Sequence, residues 1–135
     1  MGQQITDDDL ELVKLAREAI ASRYRPGWHS VGSALRTKSG RVYTSIHIDA
    51  NVGRIAVCAE AIAVANAVFD GESEFDTIVA VQHPNNPEED FRVVSPCGMC
   101  REIVTDYDKN SNVIIDVDGV LKKLKMIELL PHKYL

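Results

Sequence analysis

Apolar residues recur at helical spacing over residues 7–23. The positions that form this stripe are Leu10, Val13, Ala16 and Ile20. Intervals of three or four residues place side chains on one face of a helix. Thr6 suits the N-cap of this helix, and Pro26 with Gly27 ends it. We therefore predict an amphipathic N-terminal helix that packs through one stripe.

The rest of the pattern predicts alternating strands and helices. Short β-favouring runs bounded by turn residues predict strands at 31–36, 41–48, 75–81, 91–94, 112–117 and 120–124. Helices are expected at 58–69, from Pro96 to about residue 107, and as a final turn at 126–130. This order favours one sheet covered on both faces by helices. The predicted fold class is α/β, in a single domain over residues 1–135.

Composition and charge indicate the cellular compartment and exclude some classes of partner. The fractions of hydrophobic (45%) and charged (26%) residues are typical of globular proteins. A net charge of −5 argues against a nucleic-acid partner, and no stretch approaches the roughly 20 apolar residues of a membrane span. The N-terminus lacks the basic and apolar regions of a signal peptide, so the 3 cysteines indicate reduced thiols in the cytoplasm. Their odd number favours metal binding or thiol chemistry.

The three cysteines suit one metal ion. Cys97 and Cys100 follow Pro96 at a predicted helix start, where positions i and i+3 face the same side. The positive end of a helix lowers the pKa of a thiol and so favours the thiolate that binds metal. Cys58 begins another predicted helix. Two helix starts that meet would bring three thiolates to one Zn²⁺.

Glu60 interrupts a nearly apolar run two positions after Cys58. A buried carboxylate is costly unless it is paired or used. Three protein ligands leave one zinc position for water, whose pKa zinc lowers to about 7. Glu60 is then the candidate proton carrier, provided that Cys58 occupies the irregular start of its helix. A C-x-E motif followed by P-C-x-x-C is the pattern of zinc deaminases.

Two alternatives from other classes remain open. A structural zinc site with a histidine as fourth ligand would use the cysteines but gives Glu60 no role. A thiol oxidoreductase would use the dithiol Cys97-Gly98-Met99-Cys100 but leaves Cys58 and Glu60 unexplained. The combined motif favours the hydrolytic site over both.

Four segments carry a resemblance to a known family. They are VGSAL (31–35), VCAE (57–60), SPCGMCRE (95–102) and IELLP (127–131). On these the chain resembles the cytidine deaminase family, in its small-subunit, three-cysteine branch. The resemblance implies a three-layer α/β/α fold with one central mixed sheet, one Zn²⁺ per subunit, and nucleoside deamination in pyrimidine salvage. It also implies a homotetramer, with a dimer as the alternative.

The resemblance also implies roles for individual residues. Glu60 would carry a proton from water to the ring nitrogen and then to departing ammonia. The backbone N–H of Ala59 would hold the ring carbonyl, and the backbone carbonyl of Ser95 would accept from the exocyclic amine. Three thiolates and Zn²⁺ leave one negative charge. Arg101 is the candidate to balance it, because Ala61 stands where the family commonly has arginine.

Two departures from the family concern the substrate. His47-Ile48-Asp49 stands where typical members have an N-x-E triplet that grips the ribose. His29 stands where a phenylalanine usually lines the pocket. Each histidine has two open roles, substrate contact or hydrogen-bonded scaffold, while Asp49 retains an acceptor for a sugar hydroxyl. We predict hydrolytic deamination of a cytidine-like nucleoside or related amino-heterocycle, with a blasticidin-S-type aminonucleoside as the alternative.

Overall fold

A mixed β-sheet forms the middle of the protein in the computed structural model, which describes residues 2–135. The strands of these residues are β1 (Val31–Thr37), β2 (Val42–Ile46), β3 (Phe75–Gln82), β4 (Arg92–Val94), β5 (Asn112–Val117) and β6 (Val120–Lys125). Their order is β2-β1-β3-β5-β6, with β4 also paired to β3. The β3–β5 pair is parallel and the other named pairs are antiparallel.

Helices cover both faces of this sheet. They are α1 (Asp7–Arg23), α2 (Ala59–Phe69) and α3 (Gly98–Tyr107), with short 3₁₀ helices at Gly53–Ile55 and Met126–Leu129. The apolar side chains of α1 join one core cluster, and those of α2 and α3 join another. The predicted three-layer α/β/α fold with a central mixed sheet is therefore confirmed. None of the helices between residues 2 and 135 combines the length and hydrophobicity that a membrane span requires.

The strands that separate the two cores are apolar on both faces. Ala34 of β1 belongs to the core beneath α1, whereas its neighbour Leu35 belongs to the core beneath α2 and α3. In β3, Val79 and Ile78 divide in the same way. Successive side chains of a strand point to opposite faces, and a strand buried on both faces reads as a continuous apolar run.

The N-terminal helix packs with a different phase from the one predicted. Leu10 is 50% exposed, while Leu12, outside the predicted stripe, is 1% exposed. The helix approaches the sheet closely at Gly32, where a Cβ atom would lie 2.5 Å from the carbonyl oxygen of Ala16. Residue 32 therefore sets how near α1 and β1 lie, and a side chain there would push them apart.

A buried carboxylate in the first turn of α1 ties the N-terminal helix to two strands. Asp9 accepts hydrogen bonds from the backbone N–H of Thr6 (3.0 Å), from Arg36 Nη2 (2.8 Å) and from Lys123 Nζ (3.0 Å). Thr6 in turn caps the helix by accepting from the Asp9 N–H. Although burial opposes ionisation, these hydrogen bonds lower the pKa of Asp9 to about 2. The carboxylate therefore stays charged and joins α1 to β1 and β6.

Asp9→Asn is expected to lower the free energy of unfolding near neutral pH by about 2–4 kcal/mol, because the partly buried Lys123 loses its charged partner and Arg36 keeps only Asp76. The folded-state pKa lies below the ordinary value, so this stabilisation is complete above about pH 4 and is lost as the pH falls towards about 2. The difference between wild type and variant should shrink by about 2 kcal/mol over that interval. Urea denaturation at several pH values measures it.

Asp7→Asn is the matched control, because Asp7 is exposed in the same helical turn. It is expected to change the free energy of unfolding by less than about 0.5 kcal/mol. A stability loss in Asp9→Asn that is the same at acidic and neutral pH would contradict the ionic account of this contact.

Candidate metal centre and active site

Three cysteine sulfurs meet at the ends of α2 and α3. The sulfur atoms of Cys58, Cys97 and Cys100 all lie within 4.8 Å of one another, and those of Cys58 and Cys97 are 3.5 Å apart. Zinc–sulfur bonds of ~2.3 Å at tetrahedral angles place sulfurs about 3.8 Å apart. The three side chains therefore have the spacing that one Zn²⁺ requires.

Two of the three cysteines stand at helix starts. Cys58 is the N-cap of α2 and Cys97 is the N-cap of α3, and both have extended backbone (φ −64°, ψ 148° and φ −69°, ψ 167°). Cys100 is the third residue of α3 and lies on the same side as the cap. The sequence predicts that Glu60 faces the metal site only if Cys58 occupies the irregular start of its helix. Cys58 does occupy that position.

The charges of this cluster require a cation. Burial raises the pKa of the Cys100 thiol, and the nearby Glu60 carboxylate and Cys58 thiol raise it further. Burial also raises the pKa of Cys58. In Cys97 burial acts in the same direction, but hydrogen bonds that include the backbone N–H groups of Cys100 and Met99 lower the pKa overall. Three thiolates beside a carboxylate are stable here only with a bound cation, as in a Cys₃ zinc site.

Glu60 lies beside the cysteines in the first turn of α2 and is 6% exposed. Burial raises the pKa of its carboxyl group, while hydrogen bonds from its own backbone and from Cys100 oppose that shift. A carboxyl group whose pKa moves towards neutrality is suited to both accepting and donating a proton. Glu60 therefore has the position and the environment of a general acid–base.

A cavity of about 260 Å³ opens beside these groups. Six of the candidate site residues predicted from the sequence line this cavity: Cys58, Cys97, Ala59, Glu60, Ser95 and His47. Its other walls are Val31, Ala56, Val57 and Val94, to which the sequence assigned no role. Val31 and Val57 stand in two of the segments that carry the family resemblance, whereas the only signal for Ala56 and Val94 is that they adjoin such segments. As the first residue of α2, Ala59 has a backbone N–H without an intrahelical acceptor.

The other two substrate candidates lie outside this cavity lining. His29 stands behind His47, with its Nδ1 donating to the His47 carbonyl oxygen at 3.0 Å. The Asp49 Oδ1 accepts from the backbone N–H of Ala50 at 2.7 Å. Of the three, the structure brings only His47 to the cavity wall, so direct substrate contact by His29 and Asp49 stays a prediction.

Arg101 contacts neutral oxygens. Its Nε donates to the Pro96 carbonyl (2.9 Å), its Nη1 to the Leu129 carbonyl (2.8 Å) and its Nη2 to the Ser95 hydroxyl (3.1 Å). Arg101 therefore fastens the segment before Cys97 to the C-terminal 3₁₀ helix. Its role in balancing the thiolate charge stays a prediction that would operate at longer range.

Two further residues with no role assigned from the sequence are exposed. Arg54 belongs to the 3₁₀ helix Gly53–Ile55, and the side chain of Tyr134 is 77% exposed near the C-terminus. Neither lines the cavity beside the cysteines.

The fold and the Cys₃ site together define the class of protein. Residues 6–115 match the family model for the cytidine and deoxycytidylate deaminase zinc-binding region. The chain belongs to this family and is a zinc-dependent hydrolytic deaminase acting on a C–N bond.

The chain is also similar to individual proteins of known name or structure. The chain is 51% identical over 132 residues to blasticidin-S deaminase of Bacillus cereus, covering 96% of this chain and 94% of that protein. It is 28% identical over 101 residues to a probable cytidine deaminase of Dictyostelium discoideum, covering 75% of this chain and 65% of that one. The crystal structure of cytidine deaminase from Burkholderia pseudomallei superimposes with a TM-score of 0.76 at 25% identity, covering 93% and 98% of the two chains.

Proposed function

We propose that this protein hydrolyses the exocyclic amine of a cytosine-type ring in a nucleoside-like substrate and releases ammonia. The observation that carries the proposal is the cavity wall, in which Cys58, Cys97 and Glu60 stand together. Cys100 completes the sulfur cluster from beneath that wall. A structural zinc site would have no need of an adjoining cavity or a buried carboxylate.

Different residues of the chain have different roles in this reaction. Cys58, Cys97 and Cys100 hold the Zn²⁺, which when bound supplies Lewis-acid activation of water near neutral pH. Glu60 accepts one proton from the attacking water and transfers it to the ring nitrogen; it then takes the second proton from the hydroxyl group now on the ring carbon and delivers it to the amine as the C–N bond breaks. The overall change replaces the ring C–NH₂ by a carbonyl and yields NH₃.

Two backbone groups would orient the ring. The free N–H of Ala59 at the start of α2 donates to the ring carbonyl. The carbonyl of Ser95 accepts from the exocyclic amine, and the contact of Arg101 with the Ser95 hydroxyl holds this segment in place. A flat single ring would thus be held by its edges in a largely apolar cavity.

Within this class, blasticidin S is the first candidate substrate. It is supported by the 51% identity to blasticidin-S deaminase over nearly the whole chain and by His47 in the cavity wall. Cytidine is the second candidate, supported by the likeness to a probable cytidine deaminase and to cytidine deaminase structures. Turnover of cytidine would support a role in pyrimidine salvage, which turnover of blasticidin S alone would not.

An ammonia-release screen on the zinc-loaded protein tests the proposal. The compounds are blasticidin S, cytidine, deoxycytidine and cytosine, with adenosine as the control for ring type. We expect ammonia from at least one cytosine-bearing nucleoside, with blasticidin S giving the highest kcat/KM, and none from adenosine. Release from adenosine alone, or from none of the five compounds, would overturn the proposed activity.

Self-association is part of the same proposal. The surface between α2 and α3 is apolar and exposed, with Phe69 94% exposed beside Val68 and Tyr107. A patch of this kind supports association with further copies of the chain, for which we propose a homotetramer, with a homodimer as the alternative. Light scattering coupled to size exclusion would measure the number of subunits.

Two further assignments remain proposals of the same kind. Both core clusters pack on one sheet, which supports a single domain over residues 1–135. The three cysteines are unpaired, which supports a reducing compartment such as the cytoplasm.

A further inference from the structure

The strand β2 fastens the helix α2 at both of its ends. Tyr43 and Ser45 are two positions apart and so point to one face of β2, the face on which Tyr43 packs against the core beneath α2 and α3. The Tyr43 hydroxyl donates to the carboxylate of Asp70, the C-cap residue of α2, at 2.5 Å. The Ser45 hydroxyl donates to the carbonyl oxygen of Ala59, the first residue of α2, also at 2.5 Å. Two hydroxyl groups of one strand thus hold the two ends of the same helix.

The start of α2 depends on such a contact because its N-cap residue does not supply one. Helices commonly begin at a residue whose side-chain oxygen accepts from the backbone N–H groups of the first turn. Cys58 is the N-cap of α2 and makes no side-chain hydrogen bond of this kind, and its sulfur lies with those of Cys97 and Cys100. The first turn of α2, which carries Glu60, therefore has no side-chain cap. Ser45 supplies this turn with a hydrogen bond from the sheet instead.

The Ser45 contact acts on the peptide group that precedes Glu60. The carbonyl of Ala59 and the N–H of Glu60 belong to one planar peptide unit, so a donor that holds the oxygen also fixes the direction of the N–H. That N–H donates to the carboxylate of Glu60 itself. The Ser45 hydroxyl, this peptide group and the Glu60 carboxylate therefore form a chain of two hydrogen bonds, in which each bond polarises the next.

We propose that Ser45 is a positioning residue for the deamination, which holds the first turn of α2 so that the Glu60 carboxylate faces the site of water attack. This inference rests on the proposed function, in which Glu60 moves the protons, and deepens it. Ser45 does not line the cavity, so it acts through Ala59 and Glu60 and does not touch the substrate. A displacement of about 1 Å in a catalytic group can lower a rate by about 100-fold. Loss of the Ser45 contact is therefore expected to affect turnover.

Two substitutions of Ser45 separate the hydroxyl from the rest of the side chain. We expect Ser45→Ala, measured per zinc-loaded chain, to lower kcat about tenfold and to leave KM within about threefold, because the contact acts on proton transfer. Ser45→Thr retains a hydroxyl at a strand position and should keep kcat within about threefold of wild type. Tyr43→Phe is the matched control. It removes the hydroxyl at the other end of α2, roughly 15 Å away, and should leave kcat unchanged.

A double-mutant cycle shows whether Ser45 acts through Glu60. In a Glu60→Gln background, Ser45→Ala should change the remaining ammonia release by less than about twofold, because the proton carrier that it positions is gone. A merely structural role would lower the Tm or the zinc content and leave kcat per zinc-loaded chain unchanged. An unchanged kcat in Ser45→Ala, or a tenfold loss in both backgrounds, would overturn the assignment of Ser45.

Amide hydrogen exchange of the zinc-loaded protein tests the contact without turnover. The backbone N–H groups of Ile62 and Ala63 close the first turn of α2, that of Ile62 by donating to the carbonyl of its N-cap residue. Ser45→Ala should speed their exchange about fivefold and leave that of Asp70 unchanged, whereas Tyr43→Phe should not affect Ile62 and Ala63. Unchanged exchange of Ile62 and Ala63 in Ser45→Ala overturns the inference. Absence of ammonia release in wild type contradicts only the proposed function, and the exchange rates then decide whether Ser45 holds the helix start.

Discussion

Glu60→Gln is expected to lower kcat by roughly 10²–10⁴-fold, the usual contribution of a general acid–base. Glutamine preserves the size of the side chain and its place in the first turn of α2, but it cannot take up and return a proton. The effect should fall on kcat, with KM changed by less than about tenfold, because Glu60 is assigned to proton transfer and not to holding the substrate. Steady-state ammonia release on the best substrate from the screen measures both constants.

The control for Glu60→Gln is Glu18→Gln, since Glu18 is an exposed glutamate on the distant helix α1. It should leave kcat unchanged. Zinc content, measured by elemental analysis, should stay near one ion per chain in both variants, which separates loss of chemistry from loss of metal. A Glu60→Gln protein that retains zinc and full ammonia release would remove Glu60 as the proton carrier.

Cys100→Ser is expected to remove stoichiometric zinc and with it all measurable ammonia release. Cys100 is fully buried beneath the cavity, and a serine hydroxyl there would be a much poorer zinc ligand than a thiolate. Zinc affinity should fall at least about 100-fold, if the loss of one of three ligands removes a few kcal/mol of the binding free energy. Elemental analysis after dialysis and competition with a chromogenic chelator measure the change.

Thermal unfolding provides a matched control for Cys100→Ser. Chelator should lower the Tm of the wild-type protein, because bound metal stabilises only the folded chain. It should leave the Tm of Cys100→Ser unchanged, since that variant has no tightly bound metal to lose. A variant that still binds one zinc ion as tightly as wild type would show that Cys100 is not a ligand.

Much of the fold was accessible from the sequence because its signals are local. Strands β3 and β5 are continuous apolar runs between turn residues, and the helices begin at recognisable caps such as Thr6. The phase of α1 was misjudged for a physical reason. Leu10 and Leu12 are both apolar, and only the docking of the helix over Gly32 decides which one is buried.

The cysteine cluster was also foreseeable, because motif spacing and helix starts are properties of the sequence. The cavity wall was not, since it depends on how residues distant in the chain lie in space. His29 and His47 look equivalent in the sequence, yet one lines the cavity and the other stands behind it. The contacts of Arg101 could not be predicted for the same reason. Its contact with the carbonyl of Leu129 depends on where the C-terminal segment folds back, which no local pattern encodes.

The placement of cysteines at the N-caps of both α2 and α3 has a consequence for how the protein folds. Cys58 and Cys97 are separated by the whole of α2, β3 and β4, so a metal that joins them closes a long loop of chain. In a chain-entropy model, a cross-link over a loop of this length restricts the unfolded ensemble by roughly 4 kcal/mol. Bound zinc would therefore act as a reversible cross-link between distant segments of the chain. Metal supply would then govern how much folded protein a cell maintains, as well as how much of it is active.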